Sequence, residues 1–348
     1  MPMNNNRKIR VLVVDDSMLA RKLIMEGLSK YPNIEIVGYA INAMDAKRKL
    51  AQLNPDVMTC DVQMPGMSGI ELLKELIPEN PLPVVLVSSL NLRVFDALHA
   101  GAVDFVRKPD GSQSPEAFIQ SLAQKVVVAA NSKVRKPKVS VDTPVMPAAK
   151  LGLGGASQIV IGLGASTGGT EATLEVMKRL PEDIPGMVIV QHMPVGFTGM
   201  YAERLNRLCA MEVREAKNGD EVKRGLALLA PADYQCRIQI TPAGGYFLRV
   251  MSGEKVSGHR PSVDALFMSM AEQVRCQMIG IIMTGMGADG AEGLLAMRRK
   301  GAFTIGQDQK SSVVYGMPGV AYKIGAVCEQ ASCENISNVL LRYLKSKC

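Results

Sequence analysis

Residues 159–180 read IVIGLGASTGGTEATLEVMKRL: an uninterrupted apolar run, a glycine-rich turn, and a segment with apolar residues at helical spacing. An apolar run without polar alternation marks a strand buried on both faces of a parallel sheet, and a strand feeding a helix through a tight turn is the repeating unit of an α/β domain. Downstream, MVIVQ, GLALLA, MIGIIM, AFTIGQ and AVCEQ repeat the strand-like runs. Residues 158–348 are therefore expected to form a doubly wound α/β domain with a mainly parallel sheet. Upstream, IRVLVV, IEIVGYA, DVMTC, PVVLVSS and DFVRKP alternate with amphipathic segments such as AMDAKRKLAQL and PEAFIQSLAQKVVVAA. Residues 7–125 are thus expected to form a smaller α/β domain with five parallel strands, flavodoxin-like. Residues 126–157 hold Pro137, Pro144, Pro147, several lysines and LGLGGAS without a sustained period, and read as a linker.

Composition narrows the function classes. The chain has 348 residues, which suits two cores better than one, and 47% hydrophobic with 21% charged residues is a globular balance. No apolar stretch approaches the roughly 18 residues of a membrane span, and the run behind the basic N-terminus stops at Asp15 and Asp16. A cytoplasmic protein without direct membrane insertion is expected, with a monomer as the default. Seven scattered cysteines without a Cys-x-x-Cys pair point to free thiols rather than a disulfide framework or a zinc site. The net charge of +7 is concentrated in the middle: residues 111–157 carry six basic and two acidic side chains, against 13 and 13 before them and 21 and 18 after. With no Trp and few other aromatics, this is a solvated linker pattern rather than a DNA-binding surface.

Charged residues fall where the N-terminal strands should end. Asp15 and Asp16 follow RVLVV, Asp61 follows VMTC, and Lys108 follows DFVR. Carboxyl ends of strands in a doubly wound sheet line one crevice, so these groups should converge. Crowded carboxylates suit a hard divalent cation such as Mg²⁺, while Lys108 and the Ser88 hydroxyl could hold phosphoryl oxygens. The arrangement is that of an aspartate that accepts a phosphoryl group.

In the second domain, Gly162, Gly164 and Gly168 approximate a dinucleotide fingerprint, but MVIVQHMP puts Gln191 and His192 where a ribose-binding carboxylate belongs. Ser166 lies on the same turn, as either a helix cap or a nucleophile. A nucleophile needs a base and an orienting acid. His192 follows the second strand and Asp289 lies in TGMGADG after MIGIIM, so both could meet Ser166 at the carboxyl edge. Of the three histidines, His99 belongs to the first domain, and His259 in SGHRPSVDALF competes with His192 for the role of base. Spacing leaves that choice open.

VLVVDDS, DVQMPGMSG, VVLVSS and the Lys108–Pro109 step resemble the receiver domain of two-component response regulators. GASTGGTEA, QHMP, HRPSVDALF, TGMGADGAEGL and VVYGMPG resemble the catalytic domain of the chemotaxis protein-glutamate methylesterases. The first likeness implies Asp61 as phosphoacceptor, Mg²⁺ held by Asp15, Asp16, Asp61 and the Gln63 carbonyl, and phosphate sensing by Ser88 and Lys108. The second implies Ser166 as nucleophile, His192 as base and Asp289 as orienting acid. It also implies an oxyanion hole at the backbone around Met286, with Thr167 adjoining, and no metal or organic cofactor for this half. Together they imply hydrolysis of glutamyl methyl esters, and deamidation of glutamines, on methyl-accepting chemotaxis receptors. A chemotaxis histidine kinase is the implied phosphoryl donor. A response regulator with a DNA-binding output is disfavoured by the size of the second domain, and an oxidoreductase by Gln191 and His192.

Overall fold

Apolar runs became strands and amphipathic segments became helices in two separate α/β units, residues 1–141 and 142–348. The computed structural model describes residues 7–89, 93–111, 114–134, 149–152 and 159–347. Among the described residues no helix is long and apolar enough to cross a membrane.

The first unit runs β1 (Ile9–Val14), α1 (Met18–Leu28), β2 (Ile34–Ala40), α2 (Ala43–Leu53), β3 (Val57–Asp61), α3 (Gly69–Glu79), β4 (Val84–Ser88), α4 (Arg93–His99), β5 (Asp104–Arg107) and α5 (Pro115–Ala130). The strand order is β2-β1-β3-β4-β5 and every pair is parallel. Every residue of β3 and β4 is buried, as their unbroken apolar runs require. Ser17, Asn42, Ser68 and Ser114 accept from first-turn amides of the helices they precede, so the turns of the sequence double as helix starts. Strand order reverses between β1 and β3, and a crevice over their carboxyl ends is where such a sheet binds ligands. One boundary needs correction. Helix α5 continues to Ala130 because Val126, Val128 and Ala129 are buried, so five residues assigned to the linker from 126 onward are helical. Most of the remaining linker, including Pro137, Pro144 and Pro147, lies outside the described residues.

The second unit runs β6 (Ile159–Ala165), α6 (Gly169–Met177), β7 (Gly186–Gln191), α7 (Phe197–Leu208), β8 (Glu212–Glu215), β9 (Leu226–Leu229), β10 (Gln235–Ile240) and β11 (Tyr246–Met251). It continues with α8 (Val263–Gln273), β12 (Gln277–Ile282), α9 (Ala291–Arg299), β13 (Phe303–Gln307), α10 (Met317–Lys323), β14 (Glu329–Ala331) and α11 (Ile336–Lys345). Seven strands form a parallel sheet in the order β14-β13-β12-β6-β7-β9-β8, and β10 and β11 form a separate antiparallel pair. The six apolar runs expected to be strands are strands. The reading missed β8, β10 and β11, which carry Glu212, Arg214, Arg237, Gln239 and Arg249 among their apolar residues and are partly exposed. Strand β6 sits at the reversal of order, flanked by β7 and β12.

Candidate active site

Pairing of β6 with both neighbours decides what meets at its end. Ala165 lies opposite Gln191, so Ser166 and His192 leave adjacent strands side by side. On the other flank Ile282 lies opposite Gly164, and the Ser166 amide donates to the Thr284 carbonyl at 2.9 Å. The loop carrying Asp289 therefore starts beside the turn carrying Ser166. Gly285 must lack a side chain, because a Cβ there would lie 2.7 Å from Ser166 Cβ and 2.3 Å from Met317 Sδ.

Ser166 is half-buried. Helix α6 takes Gly168, at φ +75°, as its N-cap and no side chain caps it. The turn is closed by the Gly169 amide donating to the Ser166 carbonyl at 2.7 Å. The hydroxyl is thus not consumed as a cap and sits near the positive end of α6.

Asp289 is 2% exposed and lies 2.8 Å from His192 Nε2. Its carboxylate also accepts from the Ser262 hydroxyl at 2.7 Å, the Val263 amide at 2.8 Å and the Asp264 amide at 2.9 Å. These are the N-cap and first turn of α8, so the carboxylate closes the positive end of that helix. Burial works against the anion, but hydrogen bonds from His192, the Asp264 amide and Ser262 outweigh it and hold the Asp289 pKa below the usual carboxylate value. An ionised Asp289 only accepts, so Nε2 donates and the lone pair of the imidazole is on Nδ1. Nδ1 is buried and has no hydrogen-bond partner among the described residues.

Sequence reasoning named Gln191 only as an argument against a nucleotide site and gave no fastening role to it, to Ser262 or to Asp264. Gln191, 2% exposed, donates from Nε2 to the Ser166 carbonyl at 2.9 Å and the His192 carbonyl at 3.1 Å, tying the two turns together. Ser262 holds Asp289, and Asp264 accepts from the Gly293 amide at 2.8 Å and from the Ser257 hydroxyl. For Ser262 and Asp264 the signal in the sequence was that they stand, with Arg260, as polar residues in SGHRPSVDALF ahead of a helical run. His259, the rival base, stacks flat on His192 with ring centroids 3.9 Å apart and an interplanar angle of 11°. Met286 is exposed, and no hydrogen bond found among the described residues uses its amide. Thr167 is buried, its carbonyl accepting from Thr284 Oγ1 at 3.0 Å.

In the first unit Asp15 and Asp61 are buried and Asp16 is exposed, and carboxylate oxygens of all three lie within 4.8 Å of one another. Lys108 Nζ is 2.8 Å from Asp15 Oδ2 and 2.6 Å from Asp61 Oδ2. Burial pushes the Asp61 pKa up, with Lys108 pulling against it. Lys108 is itself held above its ordinary value: burial opposes its charge, but Asp15 and Asp61 outweigh that cost. The Gln63 amide donates to Asp61 at 3.2 Å, and the buried Ser88 hydroxyl donates to the Ser89 carbonyl at 3.0 Å. An all-oxygen set whose burial disfavours the charge of Asp61 fits a hard divalent cation.

Residues 161–340 match the family model described as CheB methylesterase, and residues 11–119 match the response regulator receiver domain. The chain belongs to the CheB methylesterase family. A relative from Syntrophomonas wolfei, named protein-glutamate methylesterase/protein-glutamine glutaminase 2, is 49% identical over 345 residues, 97% of this chain and 98% of its own. One from Syntrophotalea carbinolica, also named a protein-glutamate methylesterase/protein-glutamine glutaminase, is 44% identical over 98% of this chain and 99% of its own. The crystal structure of the Thermotoga maritima CheB methylesterase catalytic domain superposes with a TM-score of 0.52 at 33% identity, covering 54% of this chain and 99% of that one. The expected pairing of a receiver with a CheB catalytic domain is therefore what this chain has.

Proposed function

We propose that the second unit hydrolyses glutamyl methyl esters of chemotaxis receptors, and deamidates receptor glutamines, by acyl transfer through Ser166 under the control of phosphorylation at Asp61. The observation that carries this reading is the imidazole of His192, anchored by Asp289 through Nε2 at the strand end beside Ser166, with a buried Nδ1 that has no partner among the described residues. In the familiar serine protease arrangement the acid holds Nδ1 and Nε2 serves as base. Here the two nitrogens exchange roles.

Ser166 Oγ attacks the γ-carbonyl carbon while Nδ1 takes its proton. The carbonyl oxygen becomes an oxyanion beside the Met286 amide, with Thr167 adjoining. Collapse breaks the bond to methoxide, which leaves as methanol with the proton from Nδ1. A water molecule then gives a proton to Nδ1 and attacks the acyl carbon; the bond to Ser166 Oγ breaks, Nδ1 returns the proton to Oγ, and the receptor carboxyl group is freed and ionises. With a glutamine substrate the leaving group is ammonia, and the same residues act. This half uses no metal or organic cofactor in the proposal.

In the receiver, Asp61 accepts the phosphoryl group from a chemotaxis histidine kinase, and Lys108 and Ser88 bind the phosphoryl oxygens. Asp15, Asp16, Asp61 and the Gln63 carbonyl would hold Mg²⁺, which when bound offsets the negative charge gathered there.

Release of methanol from methyl-labelled receptor tests the esterase reading. Ser166→Ala should lower the rate by roughly 10⁴-fold or more, and a variant that keeps most of its rate would overturn it.

A further inference from the structure

We infer that His259 is a positioning residue for the base. Its ring is a flat wall that holds the His192 imidazole in the plane from which Nδ1 serves Ser166. This rests on the reading of Ser166 and His192 proposed above.

The Nε2 contact with Asp289 restrains one end of the imidazole, but a single hydrogen bond leaves the ring able to swing about its χ2 axis. Among the described residues Nδ1 makes no hydrogen bond that would stop it. The stacked ring of His259, 3.9 Å away and within 11° of parallel, blocks that swing from one face.

A wall works only if it is rigid, and the segment carrying His259 is fastened along its length. Val256 and His259 exchange backbone hydrogen bonds of 3.0 and 2.9 Å across Ser257 and Gly258, both at positive φ. Gln235, 3% exposed, donates to the carbonyls of Glu254 and His259 and accepts from the Ser262 amide. Arg260 is held by Asp233 and by the Gly253 carbonyl. Three residues past His259, Ser262 and the next two amides take hold of Asp289. Residues 259–264 thus fix both partners of the catalytic serine: the face of the base and the carboxylate of the acid. A side chain that merely lined the substrate groove would need none of this bracing.

The stack also bears on the chemistry. After the first proton transfer His192 is an imidazolium, and the π-face of an aromatic ring stacked on it favours the cation. The role needs a flat aromatic surface and no particular nitrogen, so phenylalanine should perform it.

The test compares His259→Ala and His259→Phe in the full chain, with Ser166→Ala alongside. Two rates are read: methanol release from labelled receptor, and covalent labelling of Ser166 by a small organophosphonate, which needs an activated serine but no receptor docking. His259→Ala should lower kcat by about 10- to 100-fold with KM little changed, and slow labelling by a similar factor. His259→Phe should recover most of both. Normal rates in His259→Ala, or a rise in KM alone with normal labelling, would overturn the inference. Equal loss in the two variants, both folded by thermal melting, would also overturn it, since that outcome assigns the role to a ring nitrogen. If Ser166→Ala hydrolyses at the native rate, the esterase reading fails, whatever the His259 variants do.

Discussion

The carboxylate of Asp289 is bound by four donors in a buried setting, and each charge-assisted hydrogen bond contributes about 1.5–3 kcal/mol relative to an unmade one. Asp289→Asn keeps the shape but turns an NH₂ group toward donors that need an acceptor, and it removes the anion that fixes the imidazole tautomer. A loss in kcat of roughly 10³- to 10⁴-fold is expected in the methanol-release assay, with KM close to native. The same carboxylate affects stability. Its pKa is lowered on folding from the usual 3.8, so its stabilising contribution is complete above that value and is lost as pH falls through the lower folded value. Urea unfolding followed below about pH 4 should therefore show a smaller acid-dependent loss of stability in Asp289→Asn than in the native protein.

Among the elements, β6 and α8 approach each other more closely than side chains on both would allow. A Cβ on Gly164 would lie 2.2 Å from Val263 Cγ1, and one on Gly162 would lie 2.6 Å from Met270 Sδ. The glycines that suggested nucleotide binding therefore let the strand lie against the helix whose first turn holds Asp289. Gly164→Ala should cost about 1–3 kcal/mol by overpacking, measured by urea denaturation, and should reduce esterase activity because Val263 carries one of the Asp289 donors. Retention of full activity at native stability would contradict this account of the glycine pair.

Across the whole molecule, Asp61 ends a strand of one sheet and Ser166, His192 and Asp289 follow strands of another, and the two sheets share no strand. The control proposed for Asp61 would therefore operate through an equilibrium between states of the chain with different esterase rates. Acetyl phosphate with Mg²⁺ should raise the methanol-release rate of the native chain, and Asp61→Asn should abolish the rise. A chain beginning at Ser157 should hydrolyse receptor esters faster than the unphosphorylated full chain if the receiver restrains the esterase. An equal or slower rate would count against restraint and in favour of an activating receiver.

The sequence by itself determined the two α/β units, their parallel sheets and the residues at the strand ends. Those features are local: an unbroken apolar run reports burial on both faces, and a polar residue just after it must lie at the sheet's carboxyl edge. The same logic failed for β8, β10 and β11, whose charged and partly exposed residues break the run, and it ended the receiver before the last turn of α5. Which histidine meets Asp289 at the end of β6 could not be read from spacing, because the distance between His192, His259 and Asp289 depends on strand order and on where α8 begins, and neither is encoded within any one segment. Tertiary structure decided that His192 meets Asp289, that His259 lies against the face of its ring, and that Gln191 and Ser262 fasten the assembly. These are contacts between residues up to about a hundred positions apart, created only when the sheet assembles and the first turn of α8 closes over the carboxylate.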